Sequence, residues 1–129
     1  SQLHDITIAT PVFHKGRVIA LFGNCCHALD IGGRGLSADA RSIFEEGLFI
    51  PLMKLHDAGQ PVEPVYRFIA ANVRTPEEVV GDIHAQITAN EVGARQLLGA
   101  EVARGQGVEG AAERQVGRAG HSTTFGTPK

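Results

Sequence analysis

The chain has no tryptophan, a single tyrosine and a single methionine, and aromatics make up only 5% of its 129 residues. Nucleobases would find little to stack on, and a formal net charge of −2 supplies no basic stripe for a phosphate backbone, so a nucleic-acid partner is not expected. No apolar run approaches the roughly 20 residues of a membrane helix. Residues 1–8 also lack the basic and apolar regions of a signal peptide. The chain therefore reads as soluble and cytoplasmic, without a membrane partner. Its only cysteines, Cys25 and Cys26, are adjacent and could bridge each other only through a strained ring. That excludes a disulfide scaffold and leaves no C-x-x-C metal site. Two readings of these free thiols stay open: small buried residues at a strand end, or a nucleophile or ligand beside His27.

What is present suffices for one domain, since 43% of the residues are hydrophobic. Ile6, Ile8, Thr10 and Val12 alternate with Thr7, Ala9 and Pro11, and Val18 to Phe22 is a short apolar run. With His14, Lys15 and Gly16 between them, the pattern predicts a hairpin. Gly32, Gly33 and Gly35 mark a loop, after which Ser37 can cap a helix from about Ala38 to Glu46, with Ile43 and Phe44 as its apolar face and Gly47 as its stop. Leu48 to Leu55 contains Pro51 and reads as an irregular or strand-like buried segment leading to a turn at Ala58 to Pro61. A second helix is expected from Val62 to Val73, with Val65, Phe68, Ile69 and Val73 on one face. Thr75, Pro76 and Glu78 then combine an N-cap, a first-turn proline and a capping-box acid, and Val79, Ile83, Ile87, Ala94, Leu97 and Leu98 continue a helix to about Val102. Gly81, Gly93 and Gly99 within it suggest close packing. Residues 1–103 form the expected domain, and the Gly-rich segment 104–129 is expected to be a disordered tail. The fold class is α+β, an N-terminal β-hairpin followed by several helices.

The residues able to carry chemistry concentrate between His27 and Pro51. His27 and Asp30 stand three apart in HALD, and Asp5 opens the first strand. Imidazole and carboxylates suit zinc, manganese or iron, whereas the plain alternative is a satisfied loop histidine with an aspartate capping local amides. Gly32 and Gly33 either form a tight turn or expose amides to an anionic ligand. Glu45 and Glu46 end a helix where its dipole disfavours acids. Glu46 is thus a candidate general base or ligand-supporting carboxylate, with a solvated acid or an ion pair to Arg41 as the alternative. Arg74 could clamp a carboxylate or phosphate, or pair with Glu78. Asp82 and Gln86, one turn apart, suggest a buried hydrogen-bonded pair.

Three stretches, HDITIATPVF (residues 4–13), HALDIGGRGLSADARSIFEEGLFIP (residues 27–51) and TPEEVVGDIHAQ (residues 75–86), resemble the hydantoinase B family, the beta-type subunits of ATP-dependent hydantoinases and 5-oxoprolinases. The resemblance covers roughly Leu3 to Leu98 and identifies the chain as a segment of a larger subunit. It implies ring opening of a small cyclic amide at its C–N bond, together with a hydantoinase A-like subunit that uses ATP. This chain has no GxxxxGK loop of its own. Family members carry G-T-H-x-x-D before the strand ending in PVF and a histidine before DIGG. In the related ketone carboxylases these residues hold a divalent metal. Carried over, the second and third ligands are Asp5 and His27, and the first position is occupied by Gln2, whose amide oxygen is a poorer transition-metal ligand. His4, on the alternation of an extended strand, would face away from Asp5. The resemblance makes Asp5, His27, Asp30 and Glu46 the catalytic candidates and Gly32, Gly33 and Arg74 the ligand-binding candidates. Ketone carboxylation is the alternative activity, against which Gln2 weighs. A truncated or interface fragment without chemistry is the non-enzymatic alternative.

Overall fold

The computed structural model of the chain describes residues 3–34, 41–105 and 123–126. Strands β1 (Asp5–His14) and β2 (Arg17–His27) form the expected hairpin, closed by Lys15 and Gly16 in a two-residue turn. Both turn residues have positive φ, 50° and 75°, the backbone hand that matches the twist of paired strands. Ile6, Ile8, Thr10 and Val12 are buried and Thr7 is exposed, as the alternation predicts. β2 continues past the expected Phe22 to His27. Its register with β1 runs from His14↔Arg17 to Asp5↔His27, so Gly23, Asn24 and Cys25 are held extended by their partner strand rather than by their own propensity.

A one-turn helix α1 (Ile43–Glu46) follows. The longer helix expected from Ala38 is not formed at Arg41 and Ser42, and Ser37 lies outside the described residues. One turn cannot align an apolar face, and Ile43 and Phe44 point to solvent. Leu48 to Leu52 are irregular, and the chain enters β3 (Met53–Asp57), which turns through Ala58 and Gly59 into β4 (Gln60–Pro61). Helix α2 (Glu63–Asn72) buries Val65, Tyr66 and Ile69, leaving Phe68 half exposed, so its inner face is rotated from the expected one. Helix α3 (Pro76–Gly105) is 30 residues and about 45 Å long.

Strand β5 (Thr123–Gly126) pairs antiparallel with both β1 and β3, giving the sheet order β2-β1-β5-β3-β4. These four residues belong to the segment expected to be a disordered tail. A Thr-Thr-Phe run has strand propensity, and β1 and β3 offer it a ladder on each side. Residues 106–122 and 127–129 lie outside the described ones, and the rest of that expectation with them.

The core joins the sheet to α2 and α3 through Ile6, Ile8, Leu55, Ile69 and Ile83, each worth about 1.5 to 3 kcal/mol of burial. A second cluster joins Val12, Phe22, Ala94 and Leu98. A Cβ on Gly93 would lie 2.5 Å from the Phe22 ring, whereas Gly81 and Gly99 face open space. The close packing expected of the three glycines thus holds at Gly93.

Two amides interrupt the apolar stripe of α3. Gln86 donates to Ile6 O (2.9 Å) and Asn24 Oδ1 (2.8 Å), and Asn90 donates to Ile8 O (3.1 Å) and Thr10 Oγ1 (3.2 Å). Asn24 Nδ2 in turn reaches Asn90 Oδ1 at 3.0 Å. This seam fixes the register of α3 on the hairpin, because a slip would leave buried amides unpaired. Gln86 therefore bonds to the hairpin, and the expected partner Asp82 is exposed. Among the described residues no helix is long and apolar enough to cross a membrane.

Candidate functional site

The hairpin register brings the first residue of β1 and the last of β2 together. His27 Nδ1 lies 3.0 Å from Asp5 Oδ1, and both side chains are partly exposed, 40% and 37%. With the carboxylate accepting, Nδ1 carries the hydrogen, and Nε2 is the ring nitrogen left for chemistry. The open hairpin end is closed by Ala28 N donating to His4 O at 2.7 Å.

His4 stacks on His27, ring centroids 5.4 Å apart and planes 20° from parallel. The strand begins only at Asp5, and His4 lies in the preceding turn, so the alternation that would turn it away from Asp5 does not apply to it. It is 2% exposed, and its Nε2 has no hydrogen-bond partner among the described residues. Burial and the neighbouring His27 push its pKa below the ordinary value, outweighing the opposing pull of Glu46, Asp5 and Asp30. A buried imidazole whose Nε2 has no hydrogen-bond partner among the described residues, stacked beside the Asp5–His27 pair, is the feature that the sequence alone does not reveal. A histidine adjoining a candidate aspartate is the available signal.

Glu46 reaches the same end of the molecule, its Oε2 accepting a long 3.4 Å bond from Leu3 N. Glu45, its neighbour, accepts from Arg41 N rather than from the Arg41 side chain.

Asp30 occupies a different setting. Its carboxylate accepts from Gly32 N (2.9 Å), from Thr75 N (3.1 Å), from Arg74 N and from Arg74 Nη1 (3.0 Å). Arg74 Nη2 donates in addition to Gly33 O. Burial pushes the Asp30 pKa up, and the amides of Gly32, Arg74 and Thr75 with the Arg74 charge more than reverse this, holding it below the usual carboxylate value. Arg74 therefore pairs with Asp30, not Glu78, and the carboxylate staples the glycine loop to the junction of α2 and α3. Gly32 and Gly33 have φ of 76° and 61°, and a Cβ on either would lie 2.6 Å from backbone, of Asn72 in the first case and of Glu45 to Gly47 in the second. Both glycines are required by the approach of one chain segment to another. The ligand-binding candidates Gly32, Gly33 and Arg74 are thus brought together, with the Gly32 amide bonded to Asp30 and the exposed Arg74 guanidinium bonded to Asp30 and Gly33 O.

Residues 1–114 match the Hydantoinase B/oxoprolinase family. The chain belongs to this family. Over 103 residues it is 39% identical to the beta chain of the caprolactamase of Pseudomonas jessenii, a match covering 76% of the chain and 17% of that protein. It is 35% identical over 98 residues to the B-type component of a putative D-/L-hydantoinase of a Pseudomonas species, covering 73% and 17%. Against the 5-oxoprolinase of Dictyostelium discoideum it is 34% identical over 96 residues, covering 72% and 8%. The chain spans less than a fifth of the length of these relatives. No solved structure matches it significantly.

The 3.0 Å between His27 Nδ1 and Asp5 Oδ1 is taken up by the Nδ1 hydrogen, so a metal could be held between these two atoms only in place of the hydrogen bond. Among the described residues no group of three or more His, Cys, Asp or Glu could hold a metal ion, and Gln2 lies outside them.

Proposed function

We propose that this hydantoinase B-type chain is part of a cytoplasmic amidohydrolase that opens a small cyclic amide, such as hydantoin or 5-oxoproline, at its C–N bond, in a complex with a hydantoinase A-like subunit that uses ATP. The observation that carries this reading is the exposed Asp5–His27 pair at the hairpin end, in a chain whose relatives are named for cyclic-amide hydrolysis. Asp5 fixes the tautomer and orientation of His27, so that Nε2 can take a proton from attacking water and return it to the departing ring nitrogen. A divalent ion, if bound in place of the Asp5–His27 hydrogen bond, would be held by Asp5 and His27 and would polarise the amide carbonyl, with His27 then a ligand and not the base. Glu46, whose charge acts on His4 and whose carboxylate meets the Leu3 amide, would support the pair by way of His4. Asp30, Gly32, Gly33 and Arg74 contribute by holding the loop that follows His27.

The test is ring opening of hydantoin and 5-oxoproline, followed with ATP consumption, by the protein that contains this chain, with and without the ATP-binding subunit. The reading expects ATP-dependent hydrolysis only when both are present. Hydrolysis of neither amide under any combination would overturn it, and bicarbonate-dependent consumption of a ketone instead would favour the carboxylase alternative.

A further inference from the structure

The hairpin has two faces of opposite character. Ile6, Ile8, Thr10, Phe22, Asn24 and Cys26 face the helices, Asn24 bonding to α3 and Phe22 lying against Gly93. The alternate residues, Asp5, Thr7 and Ala9 on β1 with His27, Cys25 and Gly23 on β2, project from the other side. On that side Thr7, Gly23 and Cys25 are exposed. The register makes Thr7↔Cys25 the next pair on the same face after Asp5↔His27, and Ala9↔Gly23 the one beyond. On its other edge Thr7 is opposite Gly126 of β5.

The Asp5–His27 pair is therefore the end row of an open sheet face paved with small residues. Same-face rows are about 7 Å apart along a strand and neighbouring strands about 4.8 Å apart. A ring whose carbonyl carbon sits at His27 would extend over the second row. That row carries a hydroxyl and a thiol, and a Cβ on Gly23 would meet only ordinary contact, 3.9 Å from Ile8 O. Beyond it Leu21, 70% exposed, begins an apolar margin.

From this juxtaposition we propose that Thr7 and Cys25 form the floor of the substrate site and set which cyclic amide it accepts. The inference rests on the Asp5–His27 reading above. Thr7 can donate to or accept from a polar ring substituent, and Cys25 offers a small polarisable surface to the ring itself. Ala9 and Gly23 leave room for a substituent pointing away from the reacting bond. Bulk introduced at this floor should act on substrate affinity and selectivity and leave the fold alone, since the positions are exposed.

The adjacent cysteines provide the test, because Cys25 lies on the proposed floor and Cys26 on the helix side of the same strand. In the intact protein, maleimide labelling at each thiol is followed by peptide mass spectrometry with and without saturating hydantoin or 5-oxoproline. The proposal expects Cys25 to label about fivefold to tenfold more slowly with amide present, in line with the occlusion of a pocket-bound ligand, and Cys26 to be unchanged. It also expects Cys25→Phe to raise KM for the larger amide more than for the smaller while keeping the wild-type Tm. Equal labelling of Cys25 with and without amide, together with wild-type KM values in Cys25→Phe, would overturn it. If His27→Ala nevertheless abolishes turnover, only the floor is lost. Full turnover by His27→Ala removes the reading on which the floor rests.

Discussion

His27 and Asp30 stand three residues apart and end up in opposite conditions. His27 is bound through one nitrogen to one carboxylate, with its side chain 40% exposed, whereas Asp30 takes four hydrogen bonds and its side chain is 10% exposed. A saturated carboxylate held below its ordinary pKa is a fastening. An exposed imidazole oriented by a single acid has valence to spare. Setting and not residue type separates the two, since each pair contains one acid and one base.

Substitutions at the two pairs should move stability and activity separately. In unfolding free energy the largest loss is expected at the staple. Asp30→Ala should cost about 2 to 4 kcal/mol in chemical denaturation, because the partly buried amides of Gly32, Arg74 and Thr75 lose their shared acceptor. A loss below about half a kcal/mol, the scatter of ordinary surface substitutions, would mean that Asp30 is not a fastening. Gln86→Leu should cost about 1 to 3 kcal/mol by orphaning Ile6 O and Asn24. It should also broaden the NMR signals of the hairpin, and sharp wild-type spectra would contradict the register role of the seam. Gly93→Ala is expected to cost about 1 to 2 kcal/mol, as Phe22 must move from the space the new methyl takes.

Acid should separate two smaller effects. His56 bonds to Tyr66 Oη at 2.7 Å, and Tyr66 is pushed up to about 12 by burial and then by Glu63. The His56 pKa lies below its ordinary 6.5, with burial the main cause, Glu91 opposing and His84 assisting. Below 6.5 the unfolded chain therefore takes up a proton that the folded one excludes, and stability falls as pH drops through that value. Asp30 acts in the same direction at lower pH: its contribution is present above the ordinary 3.8 and is lost as pH falls through its depressed folded value. Stability against pH should show one decline starting near 6.5, reduced in His56→Gln, and a second below 3.8, reduced in Asp30→Asn.

The elements legible in the sequence are those fixed by local pattern. Alternation at Ile6 to Val12 marks β1, and Thr75, Pro76 and Glu78 mark the start of α3. What escapes is fixed by partners far along the chain. β5 is a strand because β1 and β3 flank it, and β2 extends to His27 because β1 pairs with it throughout. The candidate site is legible as a set of residues and not as an arrangement. Asp5 and His27 are each conspicuous in the sequence, and only the register joins them. Asp30, Gly32, Gly33 and Arg74 have the residue types of reactive or ligand-binding groups, and their contacts fasten a loop. His4 escapes because the strand alternation that would turn it away begins one residue later.

The most direct test of the central claim, that Asp5–His27 is the reactive pair and Asp30–Arg74 the fastening, is His27→Ala measured for turnover and thermal unfolding on the same preparation. The account predicts turnover reduced by about 10²- to 10⁴-fold, the scale of a lost acid–base group, with the Tm of the wild type retained. Wild-type turnover, or a collapse in Tm that accounts for the lost activity, would contradict it.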